Sequence, residues 1–190
     1  TALYAAMTEP NQISNSILME LVAAAPLETT RAFLSLEVDC DLLDFFFFSL
    51  LDDETSAFFF SSPELPAIIE LLIRSGKMPN SLAFIFENLH CPFDKSQIAH
   101  FAALALECGN ISFIKTILES GALHVEDPIA IDGSGYNVIC SLIKMGRFAD
   151  ALPLMRRFNY NINYTHDQAA NPNGDIILFV MQFKPYDLDA

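Results

Sequence analysis

The sequence predicts an all-α chain assembled from short paired helices, and three observations carry that expectation. Helix punctuation recurs along the whole chain, whereas the apolar–polar alternation of a half-buried strand is rare. Apolar residues make up 52% of the 190 positions and charged residues only 18%, which excludes a disordered chain and calls for a well-buried interior. The stretch from His100 to Ala122 reads as two short amphipathic helices joined at Cys108-Gly109-Asn110. Small residues at Ala102, Ala103 and Ala105 let another backbone approach the first. Ile111, Ile114, Ile117 and Leu118 line one face of the second, with Lys115 and Glu119 outward. Gly121 closes it in the conformation that glycine adopts cheaply. Two helices this short cannot each bury a face alone, so similar neighbours are required.

The elements follow in order. Residues 1–13 end at Pro10 and Asn11, and Asn15 or Ser16 then caps a helix through Ile17, Leu18, Leu21 and Val22. Pro26 breaks it, and a second helix spans about Leu27 to Glu37, burying Phe33, Leu34 and Leu36. Residues 39–62 hold two aromatic runs around Asp52-Asp53-Glu54. Four successive Phe cannot share one helix face, so these rings are either a thick core at a junction or an exposed contact patch. Asp39, Asp41 and Asp44 do not form a calcium loop, because the loop glycine is missing and the twelfth position is Leu50. Pro63 to Gly76 predicts a helix ending in its glycine. Pro79-Asn80-Ser81 starts another to about Leu89, with Leu82, Phe84 and Ile85 apolar. Cys91-Pro92-Phe93-Asp94 turns the chain into the stretch from His100. Gly146 separates two further helices, the second carrying Phe148, Leu152, Leu154, Met155 and Phe158. Pro153 lies inside that helix, removes one backbone bond and should bend it. A last unit opens at Asn171-Pro172-Asn173-Gly174-Asp175, continues as IILFVMQF and stops at Pro185.

HFAALALECGN followed by ISFIKTILESGA resembles the ankyrin repeat, an inner helix of TPLHxAA type, a GN turn and an outer helix. PAIIELLIRSG resembles an outer helix of the same family. Asp132-Gly133-Ser134-Gly135-Tyr136-Asn137 is similar to its D-x-x-G-x-T finger, with Val138, Ile139 and Cys140 where Pro, Leu and His are usual, and Ile162-Asn163 to its closing pair. Leu142 replaces a small residue, which should push the neighbouring helix outward. The finger positions Ile98 and Gly135 are 37 residues apart and Gly135 and Gly174 are 39 apart, against about 33 in the family. The resemblance covers 95–183 specifically and 14–90 loosely. It implies one ankyrin-like helical-repeat solenoid over residues 1–190, of about five helix pairs with lengthened loops. The clearest repeats are 95–122 and 132–163, with a partial one at 171–183.

Composition narrows the function. The formal net charge is −14 with only ten Lys and Arg, which argues against nucleic acid and anionic membrane surfaces. It either keeps an apolar chain soluble or favours a partner with a basic patch. The four cysteines, Cys40, Cys91, Cys108 and Cys140, show no framework spacing and read as reduced, buried thiols in a cytoplasmic setting. No secretory leader is visible, and the longest apolar run, Phe45 to Leu51, is far short of the roughly 20 residues that cross a bilayer. Thr1 and the abrupt C-terminus point to an excised domain.

No constellation reads as an active site, cofactor site or metal site. Gly133-Ser134-Gly135 lacks the lysine and further glycine of a phosphate loop and the frame of a nucleophile elbow. His90-Cys91 with His100 fits no common zinc spacing. Asp52-Asp53-Glu54 is a solvated run, and Cys140 stands where the family has a structural histidine. Met19, Met145, Met155 and Met181 fall on helix faces, where methionine fills core.

Repeat arrays bind proteins through finger tips and inner-helix ends, which stacking leaves free. The resemblance therefore implies partner contacts at Ser96, Gln97, Ala99 and Glu107, then Ser134, Tyr136, Lys144 and Met145, and then Asn173 and Asp175. Tyr136 is the leading candidate, as an exposed aromatic at a finger tip. The function expected is a protein–protein interaction module, with no enzymatic activity of its own. Divergence, long loops, Phe content and acidity resemble ankyrin-containing effectors that intracellular bacteria deliver into host cells, which would place the partner in host cytosol. The alternative is a regulatory or substrate-presenting domain of a larger enzyme. A third reading, a small hydrolase using Cys91 or Cys140, requires a thiol of lowered pKa.

Overall fold

The computed structural model describes residues 20, 24–35, 41, 44, 60–87, 93–129 and 136–160. Their regular structure is helical, with no strand among the described residues. The helices are α1 (Pro26–Leu34), α2 (Leu65–Ser75), α3 (Pro79–Glu87), α4 (Lys95–Cys108), α5 (Ile111–Glu119), α6 (Val138–Lys144) and α7 (Phe148–Arg157). None is long and apolar enough to cross a membrane. The chain divides into two compact units, Thr1–Pro92 and Phe93–Ala190.

In the first unit, Pro26 is the first residue of α1, one position ahead of the predicted start at Leu27. Its missing N–H costs nothing in a first turn, where that group has no helical partner. The helix stops at Leu34, short of the predicted Glu37; Phe33 is buried and Leu34 is half-exposed. In α2 the buried residues Leu65, Ile68, Ile69, Leu72 and Ile73 follow one helical stripe. Each such side chain contributes about 1.5–3 kcal/mol of transfer free energy. The flanks of α2 hold both ends of α1. Glu64 Oε2 accepts from the Leu27 N–H at 3.2 Å, and Lys77 Nζ donates to the Leu34 carbonyl at 3.0 Å. A carboxylate thus meets the positive end of α1 and an ammonium its negative end, so α1 and α2 run side by side in the same direction. Of the three aspartates set aside as a calcium loop, Asp44 has a structural place. Asp44 is buried and caps α3, accepting from the N–H groups of Asn80 at 2.7 Å and Ser81 at 2.9 Å and from the Ser81 hydroxyl. Apart from Glu20, which is helical and exposed, the predicted helix around Ile17 to Val22 lies outside the described residues, as do Leu36, Leu89 and the aromatic run from Phe45 to Phe59.

The second unit begins with a helix longer than the sequence predicts. Asp94 caps α4 through the Gln97 N–H at 2.8 Å, and the Gln97 side chain returns to the Asp94 N–H at 3.1 Å, a reciprocal capping box. Residues Ser96, Gln97 and Ala99 therefore belong to the first turns of α4, not to a finger. The interior of α4 is sealed from Phe101 through Leu106, and Phe93 meets Phe101 edge to face at 5.0 Å. Gly109 turns the chain with φ 75° into α5, capped by Asn110. The buried face of α5 is Phe113, Ile114, Ile117 and Leu118; Phe113 is an addition to the predicted set, and Ile111 is only half-buried.

A lengthened connection leads from α5 to α6, as the residue spacing requires. Its described part is ordered by the Leu123 N–H to the Ile117 carbonyl at 3.1 Å, and by a His124–Asp127 turn. Helix α6 packs on α4 and forms a hairpin with α7. Leu142 is fully buried there. The chain continues as helix through Pro153 to Arg157. Of the predicted apolar face of α7, Leu154 is buried, but Leu152 is 53% exposed. The residue preceding Pro153 points to solvent, and Ala151 takes the buried place instead.

Candidate functional site

Apart from Glu107, the predicted contact residues that are described fall at two places in the second unit. The first is the stem of the predicted finger. The Ile129 N–H donates to the Tyr136 carbonyl at 2.8 Å, which brings the two ends of 129–136 together. Asn137 then caps α6, its Oδ1 accepting from the Cys140 N–H at 2.9 Å. Tyr136 precedes that cap, yet the Lys144 ammonium at the far end of α6 lies 4.9 Å from its ring centre. A seven-residue helix is about 10 Å long, so the ring lies back along α6. Tyr136 is consequently a half-buried stem residue under a cation, not an exposed tip. Met145, the C-cap of α6, is 46% exposed beside Lys144 and is no core filler.

The second place is a groove of about 320 Å³ between the first turns of α4 and the connection after α5. Lys95, Ser96 and Ala99 form one wall; Ala122, Leu123, Asp127 and Pro128 form the other. The Asp127 carboxylate is oriented by the His124 N–H at 2.9 Å. Ser96 and Ala99 thus meet at a site, whereas Gln97 is consumed by the capping box. Glu107, twelve residues along α4 from Lys95, lies about 18 Å away on the same helix and belongs to neither wall. Ser134, Asn173 and Asp175 lie outside the described residues. The residues that sequence reasoning passed over are Lys95, Leu123, Asp127 and Pro128. Asp127-Pro128 was the available signal, since an aspartate before proline favours a turn that holds its carboxylate in place.

Among the described residues no group of three or more His, Cys, Asp or Glu is positioned to hold a metal ion. Asn137 Nδ2 donates to the Tyr160 hydroxyl at 3.1 Å, and that hydroxyl lies 3.7 Å from the Cys140 sulfur. Burial pushes the Cys140 thiol above its ordinary value, with the Tyr160 hydrogen bond opposing in part. A nucleophilic role needs the reverse shift, so Cys140 reads as a core thiol in a polar knot. Cys108 is exposed; Cys91 lies outside the described residues.

Comparisons with protein-family models, curated proteins and solved structures return no match.

Proposed function

We propose that this chain is a protein–protein interaction module built as a divergent ankyrin-like repeat array, with its contact surface at the Tyr136 stem and the end of α6. The observation carrying this reading is the exposed Lys144, whose ammonium lies over the Tyr136 ring, followed in the chain by the exposed Met145. An aromatic, a cation and a flexible apolar side chain grouped on a rigid helix form the composition of a binding hot spot. The repeat reading draws support from the way the hairpins α4/α5 and α6/α7 sit together. Their inner helices pack on each other. Arg157 at the end of α7 pairs with Glu119 at the end of α5 at 2.8 Å. The Arg147 guanidinium, just past the α6–α7 turn, reaches the α4–α5 turn at Gly109. Like elements therefore lie beside like, as stacked repeats require.

The test is affinity capture from eukaryotic cytosol with the wild-type chain and with Tyr136→Ala combined with Lys144→Ala. Neither side chain is fully buried, so the thermal midpoint should stay within a few degrees. The expected result is a specific partner lost in the double variant. A partner held equally by both proteins would remove the contact surface from this patch.

A further inference from the structure

The groove beside α4 has a chemistry of its own. Much of its lining is aliphatic, from Ala99, Ala122, Leu123 and Pro128. A cation and an anion stand on opposite walls, Lys95 on α4 and Asp127 on the connection. Asp127 is held by its bond to the His124 N–H, so its orientation is set before anything binds. At about 320 Å³ the groove is at the small end of the range of about 300–1,000 Å³ typical of ligand pockets. It suits one anchoring side chain and its flanking groups better than a bulky cofactor. Pro128 of its lining is followed by Ile129, whose N–H bonds to the Tyr136 carbonyl.

We propose that this groove docks a short extended segment of a protein partner in which an aliphatic side chain lies between a carboxylate and a Lys or Arg. The aliphatic group meets the aliphatic lining, the carboxylate faces Lys95 and Ser96, and the basic group faces Asp127. Complementary charges on the two elements give the segment a direction, which an apolar lining alone cannot. Taking the occupant as a protein rests on the interaction-module reading.

Amide shifts of the full ¹⁵N-labelled chain would be followed during titration with four blocked pentapeptides. These are Gly-Glu-Leu-Lys-Gly, Gly-Lys-Leu-Glu-Gly, Gly-Lys-Leu-Lys-Gly and Gly-Glu-Leu-Glu-Gly, with free leucine as a fifth ligand. One of the two mixed orders should bind best, shifting the amides of Ala99, Leu123 and Asp127 saturably. Its advantage over the single-sign peptides should be about two- to five-fold, the scale of partly exposed ion pairs. Lys95→Glu should transfer the preference to Gly-Lys-Leu-Lys-Gly. Asp127→Asn keeps an oxygen for the His124 N–H and should erase the preference for the basic residue. Equal affinity for all four peptides, or no saturable shift at those amides, would overturn the proposal. Free leucine binding as tightly as the best peptide would also overturn it, making the groove a small-molecule site. A partner captured equally by wild type and Lys95→Glu, with no peptide selectivity, would overturn the groove and leave the interaction module standing.

Discussion

The hairpins α4/α5 and α6/α7 share their turns and differ in their cores. At the first turn, the Gly109 N–H bonds to the Leu106 carbonyl at 3.1 Å and the Asn110 N–H to that of Ala105 at 2.8 Å. At the second, Gly146 bonds to Ile143 at 2.9 Å and Arg147 to Leu142 at 2.8 Å, in the same pattern. The outer helices also end alike, with Gly121 at φ 74° and Asn159 at φ 48°. Along the inner helices, however, sizes trade places. Ala102, Ala103 and Ala105 of α4 correspond to Ile139, Cys140 and Leu142 of α6, while Phe101 and Leu104 correspond to Val138 and Ser141. A turn is a local backbone requirement and each hairpin must meet it alone. Core volume is filled jointly by α4 and α6, so either helix can supply the bulk.

That exchange makes the largest prediction. Leu142→Ala empties a fully buried site and should cost about 2–5 kcal/mol. Ala105→Leu overfills a buried site and should cost about 1–3 kcal/mol. If the two positions share space, the double variant should lose less than the sum, with a coupling of about 0.5–3 kcal/mol in a denaturant-melt cycle. Strict additivity would break the idea that the hairpins trade volume.

The two inner-helix caps come next. Asn137 is 1% exposed and serves both the Cys140 N–H and the Tyr160 hydroxyl. Asp94 is exposed and serves only its own first turn. Asn137→Ala should therefore cost about 1–2 kcal/mol, a lost cap plus the lost bond to the Tyr160 hydroxyl, and Asp94→Ala about 0.5–1 kcal/mol. Equal losses by chemical denaturation would mean that the bond to Tyr160 adds nothing to the cap.

These contrasts also show what could be read in advance. The α4/α5 hairpin was legible because its turn and apolar stripes follow simple periodicity, and Gly76 likewise marked the end of α2. The start of α4 was not, since the family finger pattern masked the Asp94–Gln97 capping box, a plain sequence signal at that spacing. Tyr136 was expected at an exposed tip and is a half-buried stem residue instead, because no local rule reports a cation eight residues away reaching its ring. The Asp44 cap on α3 and the Tyr160–Cys140 contact join residues far apart in sequence, which periodicity cannot pair.

The cysteines sharpen the comparison in solution. Cys108 is exposed at the end of α4, while Cys140 is buried in α6. Iodoacetamide at neutral pH, read by peptide mapping, should label Cys108 quickly and Cys140 slowly. A thiol whose folded-state pKa is raised stays protonated where the unfolded chain has already ionised. Its contribution to stability is complete below the ordinary value of 9.0 and is lost as pH rises above it. Melts from neutral to alkaline pH should therefore fall more steeply for wild type than for Cys140→Ala. Parallel curves would show that the thiol is not held in the core.

The smallest effect probes the shared turn itself. Gly109 and Gly146 have φ of 75° and 74°, so alanine at either should cost about 1–2 kcal/mol for its left-handed backbone. The surroundings differ. A side chain at Gly109 would meet Arg147 Nη1 at 3.2 Å, whereas nothing lies within 4 Å at Gly146. Because the obstacle is the far end of a flexible side chain, Gly109→Ala should lose only a few tenths of a kcal/mol more than Gly146→Ala. Arg147→Ala should remove that difference. A large gap surviving without Arg147 would mean that the two turns, alike in hydrogen bonding, carry different backbone strain.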